Sequence, residues 1–188
     1  AVMIPEFSYH VTNHFKKDVH FEPEAALIYI IDGACGLVID EQRWSFTVDE
    51  LVFIPAFHRH EWICPGKVLA GVVTISEKAS EQLESSDKYV LHCNSVSGDG
   101  KLYGKLKKLF RDIIYEYTIR GQTLNIRKKG LFYLLADELY LNFAQSLPVS
   151  SPESPNFREE SMERVLTYIH RHFFEPLTLE ETGKLLYM

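Results

Sequence analysis

Between residues 24 and 76 the apolar positions fall in short runs broken by turn residues. ALIYIID, GLVID, RWSFT, ELVFIP, HEWIC and KVLAGVVTIS are rich in β-branched and aromatic side chains, and Asp32-Gly33 and Pro65-Gly66 punctuate them. Each run predicts a strand, and a spacing of about 8–12 residues is that of an all-β sandwich or small barrel. No helix-length pattern interrupts them, so the sheet is expected to be antiparallel and to bury its faces by packing or closure.

The pattern changes near residue 77. SEKASEQLESSDKYVLHCNSVSGDGK is polar, with Gly and Ser gathering towards its end, and reads as a connector. Leu102, Leu106, Leu109, Phe110, Ile113 and Tyr117 then recur at three- and four-residue spacing, which predicts an amphipathic helix. Its other face carries Lys101, Lys105, Lys107, Lys108 and Arg111. A second helix is expected over 126–146; it is apolar nearly all round, so both sides require cover, one by the β-region and the other by the first helix or a second copy of the chain. Leu102, Leu106, Leu109, Ile113 and Tyr117 are the candidate dimerisation residues.

SLPVSSPESPN holds Pro148, Pro152 and Pro155 and predicts a linker. Beyond it Met162, Val165, Leu166, Ile169 and Phe173 mark one helical face, and Pro176 stops it. Thr178, with Glu181 three positions on, then fits a capping box that opens another helix. The expected divisions are a β-region at 1–76, a connector and helical region at 77–147, a linker at 148–157 and a helical segment at 158–188.

Composition adds exclusions. The 188 residues are 46% hydrophobic and 24% charged, ordinary for a globular chain. No run of about 18 apolar residues predicts a membrane helix, and the first ten residues have neither the basic start nor the apolar stretch of a signal peptide. Cys35, Cys64 and Cys93 form no CxxC pair, so reduced cysteines and a cytoplasmic location are expected. The net charge of −6 conceals an asymmetry: residues 1–100 carry net −8, 101–130 net +7 and 131–188 net −5.

The C-terminal segment RVLTYIHRHFFEPLTLEETGKLLYM resembles the opening of the DNA-binding region of AraC/XylS-type bacterial transcription regulators, most sharply at Leu177-Thr178-Leu179-Glu180-Glu181. Thr182 and Gly183 stand where that family usually has leucine and alanine. DELVFIPAFHRHEW, with Pro55 five positions before His60, resembles a cupin strand-turn, and cupin barrels serve as sensors in the same family. The resemblance implies an α+β chain: a cupin-like antiparallel β-barrel, a helical hairpin, then the first helices of a truncated helix-turn-helix domain. It implies a ligand-responsive regulator that senses a small molecule and forms a homodimer. Promoter DNA would be held mainly by recognition helices expected beyond Met188, so this piece would bind DNA weakly or not at all. No enzymatic activity and no cofactor are expected.

His58 and His60 raise the competing reading of a metal-dependent cupin enzyme. In an extended strand they would share a face with Trp62, and His20, Glu22 and Glu24 precede the first strand with metal-ligand chemistry. Glu61, however, alternates away from His60, and the next histidine, His92, falls in the connector. A non-catalytic carbohydrate-binding protein is the other alternative. As a sensor pocket the candidates are Tyr29, Trp44, Phe53, His58, His60, Trp62 and Glu24. Aromatic rings stack on the C–H faces of sugars while imidazole and carboxylate hold hydroxyls, so a carbohydrate is the effector class they suggest; the same rings also suit a plain core. GxSxG, Walker and GxGxxG motifs are absent from the sequence.

Overall fold

A computed structural model describes residues 7–39, 41–76, 79, 89–91, 93–98, 100–118, 125–146 and 165. The chain divides into Ala1–Ser146 and Leu147–Met188. The expected linker, the capping box and the helix-turn-helix start lie outside the described residues, apart from Val165, which is helical.

Within Ala1–Ser146 the strands are β1 (Phe7–Thr12), β2 (Ala25–Asp32), β3 (Cys35–Ile39), β4 (Gln42–Phe46), β5 (Leu51–Ile54), β6 (His60–Ile63), β7 (Leu69–Ile75), β8 (Tyr89–Leu91) and β9 (Ala144–Ser146). The helices are α1 (Gly104–Thr118) and α2 (Asn125–Phe143). One sheet has the order β1-β7-β2-β5, a second β4-β3-β6, and β8 pairs with β9. Every pairing is antiparallel, giving the expected α+β class. The two larger sheets face each other as a cupin-like sandwich rather than closing into a continuous barrel.

Register explains why β2, β5 and β7 read as continuous apolar runs. Leu27 stands opposite both Phe53 and Val73, while Ile28 stands opposite both Val52 and Val72. Directly opposed residues share a face and neighbours along a strand alternate. Leu27, Phe53 and Val73 therefore meet Leu106, Phe110, Ile113, Phe132, Leu135 and Leu139 of the helices. Ile28, Val52 and Val72 meet Leu37, Phe46 and Trp62 inside the sandwich. A sheet covered on both sides has no polar alternation to show. β4, QRWSF, belongs to the sheet without a helical cover and keeps its alternation.

The first helix buries Leu106, Phe110 and Ile113 at 0–1% exposure against the sheet, at the i, i+4, i+7 spacing of one face. Each such side chain stabilises the fold by roughly 1.5–3 kcal/mol. Leu109 and Tyr117 pack against the same core, and of the five candidate dimerisation residues Leu102 alone is exposed. The apolar face of α1 is thus consumed inside the protomer. Its basic face is partly matched as well: Lys105 pairs with the buried Glu138, and Arg111 and Lys107 reach Asp49 at 3.1 and 3.7 Å. Across the helix pair, Arg127 meets the buried Glu116 at 2.7 Å.

Three features were not legible in the pattern. Residues 7–12, ahead of the runs read as strands, form an edge strand along β7, where Tyr9 packs on Phe110 and Tyr117. Part of the connector is structural: β8 pairs with β9, and residues 93–95 run beside β5, with Phe53 N–H donating to Cys93 O at 2.8 Å and Ser95 N–H to Leu51 O at 3.0 Å. Ala144–Ser146, expected as helix, is that last strand. Gly33 makes the β2–β3 turn at φ 87°, a left-handed conformation where a Cβ would also lie 2.3 Å from Lys67 O.

Candidate functional site

Buried side chains from both larger sheets meet in the sandwich interior, and among the described residues a space of ligand size lies at the β5 edge. A cavity of about 530 Å³ opens there, within the usual size range for small-molecule sites. The second sheet supplies Gln42 and Trp44, and β5 supplies Val52 and Phe53, one from each face of its sheet. The turn after β5 brings His58, the segment 93–103 brings Cys93, Asn94, Ser97 and Tyr103, and the end of α2 brings Asn142 and Phe143.

Local conformation places these groups. Phe57 sits at φ 60°, unusual for an aromatic residue, and its N–H donates to Glu22 O at 2.8 Å. That turn sets His58 at the cavity instead of on β6, which begins at His60. On the facing wall Asn94 N–H donates to Tyr103 Oη at 3.1 Å, and Val96 N–H donates to Asn94 Oδ1 at 3.0 Å. Tyr103 packs on Phe143 with ring centroids 4.8 Å apart. Gly98 permits this packing, since a Cβ there would lie 2.3 Å from the Tyr103 ring. Asn142 Nδ2 donates to Glu138 Oε1 at 2.8 Å, which turns its carbonyl oxygen the other way.

Of the seven candidate pocket residues, Trp44, Phe53 and His58 meet at this cavity. Tyr29 faces α1 and donates to Asp49 Oδ1 at 2.5 Å, beside Arg111. Burial first, and then the Asp49 carboxylate, push its phenol up to about 12. Trp62 lies inside the sandwich against Phe15, and Glu24 is exposed. His60 is buried against His20: their rings are 4.3 Å apart and their backbones exchange hydrogen bonds of 3.0 and 2.9 Å. Desolvation holds its imidazole below the ordinary value, outweighing a hydrogen bond from the ring to His58 O.

The HxH pair is thus divided, because His58 follows directly on the turn at residues 56–57 while β6 begins only at His60. His58 lines the cavity, and His60 is held against His20. Among the described residues no group of three or more His, Cys, Asp or Glu side chains is placed to hold a metal ion. Gln42, Asn94, Ser97, Tyr103, Asn142 and Phe143 were missed in the sequence. Their one signal was the small polar run NSVSG after a short apolar stretch, which also fits an ordinary loop. Burial raises the thiol of Cys93. Cys35 on β3 and Cys64, just past the paired strand β6, neighbour each other as free thiols, the former pushed up to about 12 by burial and by its neighbour.

No family model matches the chain, and no curated relative matches it either. Among solved structures, ToxT from Vibrio cholerae O395, bound to (E)-4-(8-methylnaphthalen-1-yl)but-3-enoic acid, superposes with a TM-score of 0.54 at 11% identity, over 98% of this chain and 72% of that one. An RmlC-like cupin from Shewanella frigidimarina NCIMB 400 covers 40% of this chain and 70% of its own, at 17% identity and a TM-score of 0.35. The EutQ protein of Clostridium difficile covers 37% and 55%, at 22% identity and a TM-score of 0.31. The extended likeness to ToxT is one of fold.

Proposed function

We propose that the chain is the sensing part of a ligand-responsive AraC/XylS-type transcription regulator, with the cavity at the β5 edge as its effector site. The observation that carries this is a cavity of about 530 Å³, walled by aromatic and uncharged polar groups, in a fold shared over 98% of the chain with ToxT. That neighbour's structure holds a small aryl acid, a molecule of the size such a cavity accommodates. A carbohydrate remains the effector class suggested by Trp44, Phe53 and His58. The protein would act as a sensor and not as an enzyme, and its action on promoter DNA places it in the cytoplasm. No described helix is long and apolar enough to cross a membrane.

Effector binding would work by favouring one conformational state over another, by as much as the ligand's affinity differs between them. The cavity suits that role because it joins three separately supported elements: β5, the segment 93–103 and the end of α2. Filling it ties the helical layer to the sheet.

Homodimerisation belongs to the same reading, through the outer side of α2. Ile126, Tyr133, Leu134 and Leu141 share one helical side and are 50–81% exposed. That side supplies the second surface that an all-round apolar helix requires.

The test uses the intact gene product and a DNA fragment from upstream of its own gene. A compound that binds at the cavity is expected to change DNA affinity at least severalfold, and Trp44→Ala to remove the response while DNA binding without effector persists. DNA affinity that is indifferent to every cavity ligand would sink the proposal.

A further inference from the structure

We infer that the cavity selects an uncharged ring compound bearing hydroxyl groups and rejects carboxylates of the same shape. This rests on the cavity being the effector site. Among the described residues its lining contains no Lys, Arg, Asp or Glu side chain. A carboxylate entering it would lose its hydration without meeting a lysine or arginine of that described lining, and an uncompensated charge is strongly disfavoured. Three cations of α1 are engaged elsewhere: Lys105 with Glu138, and Lys107 and Arg111 with Asp49.

Uncharged hydrogen-bonding capacity is ample by contrast. The bond from Asn94 N–H uses an acceptor position of Tyr103 Oη and leaves the phenolic proton available as a donor. The bond from Val96 uses Asn94 Oδ1 and leaves the amide NH₂ available. Asn142 spends its NH₂ on Glu138 and keeps its carbonyl oxygen as an acceptor. The cavity therefore offers donors and acceptors together, which matches a hydroxyl, itself both donor and acceptor. Trp44, Phe53 and Phe143 supply flat apolar surface for a ring. Burial holds the Tyr103 phenol and the Cys93 thiol above their ordinary values, so both stay protonated near neutral pH.

Two matched pairs of probes test the rule by calorimetric titration at neutral pH: naphthalenemethanol against naphthoate, and methyl glucoside against glucuronate. The alcohol or the glucoside is expected to bind at least about tenfold more tightly than its carboxylate partner, a difference of about 1.4 kcal/mol. Which pair responds tells a hydroxylated aromatic from a carbohydrate. Gln42→Lys, at an exposed position on the cavity rim, is expected to narrow or reverse the preference without loss of thermal stability. Equal or tighter binding of both carboxylates to the unaltered protein overturns the charge rule but leaves the cavity as a ligand site. No binding by any probe, or binding untouched by Trp44→Ala in a folded variant, overturns the rule together with the site.

Discussion

The interior of the sandwich and the space at the β5 edge both draw on aliphatic and aromatic side chains, yet one is closely covered and the other open. Inside, Ile28, Val52, Val72, Leu37, Phe46 and Trp62 converge from two facing sheets and exclude solvent. At the edge, Val52 and Phe53 look out from opposite faces of β5, towards partners that come from a loop, a turn and a helix end. Facing sheets bring side chains together in regular rows that interdigitate. Irregular elements meet at their tips and leave gaps between them. The difference teaches that aromatic content alone does not mark a pocket: Trp62 and Trp44 read alike in sequence, and their strands' positions decide which is core.

Substitutions can break or sharpen this contrast. The largest effect is expected from Phe110→Ala, because Phe110 is fully buried between α1 and the sheet. A loss of about 3–5 kcal/mol in urea unfolding is expected, and Phe46→Ala inside the sandwich should match it. A cost near zero at either site would mean that the packing described is absent in solution.

Leu109→Asp comes next. Leu109 packs on the core, so a carboxylate there should destabilise the protomer by roughly 2 kcal/mol. Leu141→Asp, at a position 72% exposed, should leave unfolding unchanged and convert a dimer to monomer in sedimentation. A dimer that survives Leu141→Asp removes the outer side of α2 from consideration.

Phe143→Ala is expected to cost only about 1–2 kcal/mol, well below Phe110→Ala, since a wall that borders open space has fewer partner atoms to lose. The same substitution should weaken ligand binding by about tenfold or more. Equal destabilisation by the two phenylalanine variants would show that the edge is packed like the interior.

The smallest effect concerns pH. His60 is held below its ordinary value of 6.5 by burial, so the folded chain binds its proton less readily than the unfolded chain does. Stability from this residue is present above about pH 6.5 and declines as the pH falls through that value towards the lower folded value. Charges that face it include His20, Glu22 and Lys16. Melting temperature measured across this range should slope less in His60→Gln than in the parent. An identical slope in both proteins assigns the pH dependence to other groups.

The strand pattern of residues 24–76 fixed the β-architecture because apolar runs of strand length, cut by Gly and Pro, leave few alternatives to a packed antiparallel sheet. Helical spacing likewise fixed α1, since Leu106, Phe110 and Ile113 can share a face only at 3.6 residues per turn. What those faces meet is not written in periodicity. The apolar side of α1 reads the same whether it covers the chain's own sheet or a second copy. Only the tertiary structure shows Leu106 and Ile113 used internally, with the outer side of α2 left exposed. The candidate site divides in the same way. Trp44, Phe53 and His58 could be named from residue type, but their meeting with Asn94, Tyr103 and Asn142 depends on chain reversals that bring positions about a hundred residues apart into one wall. Local sequence sets local conformation through sterics and hydrogen bonding, whereas a cavity exists only where separate elements fail to fill the space between them.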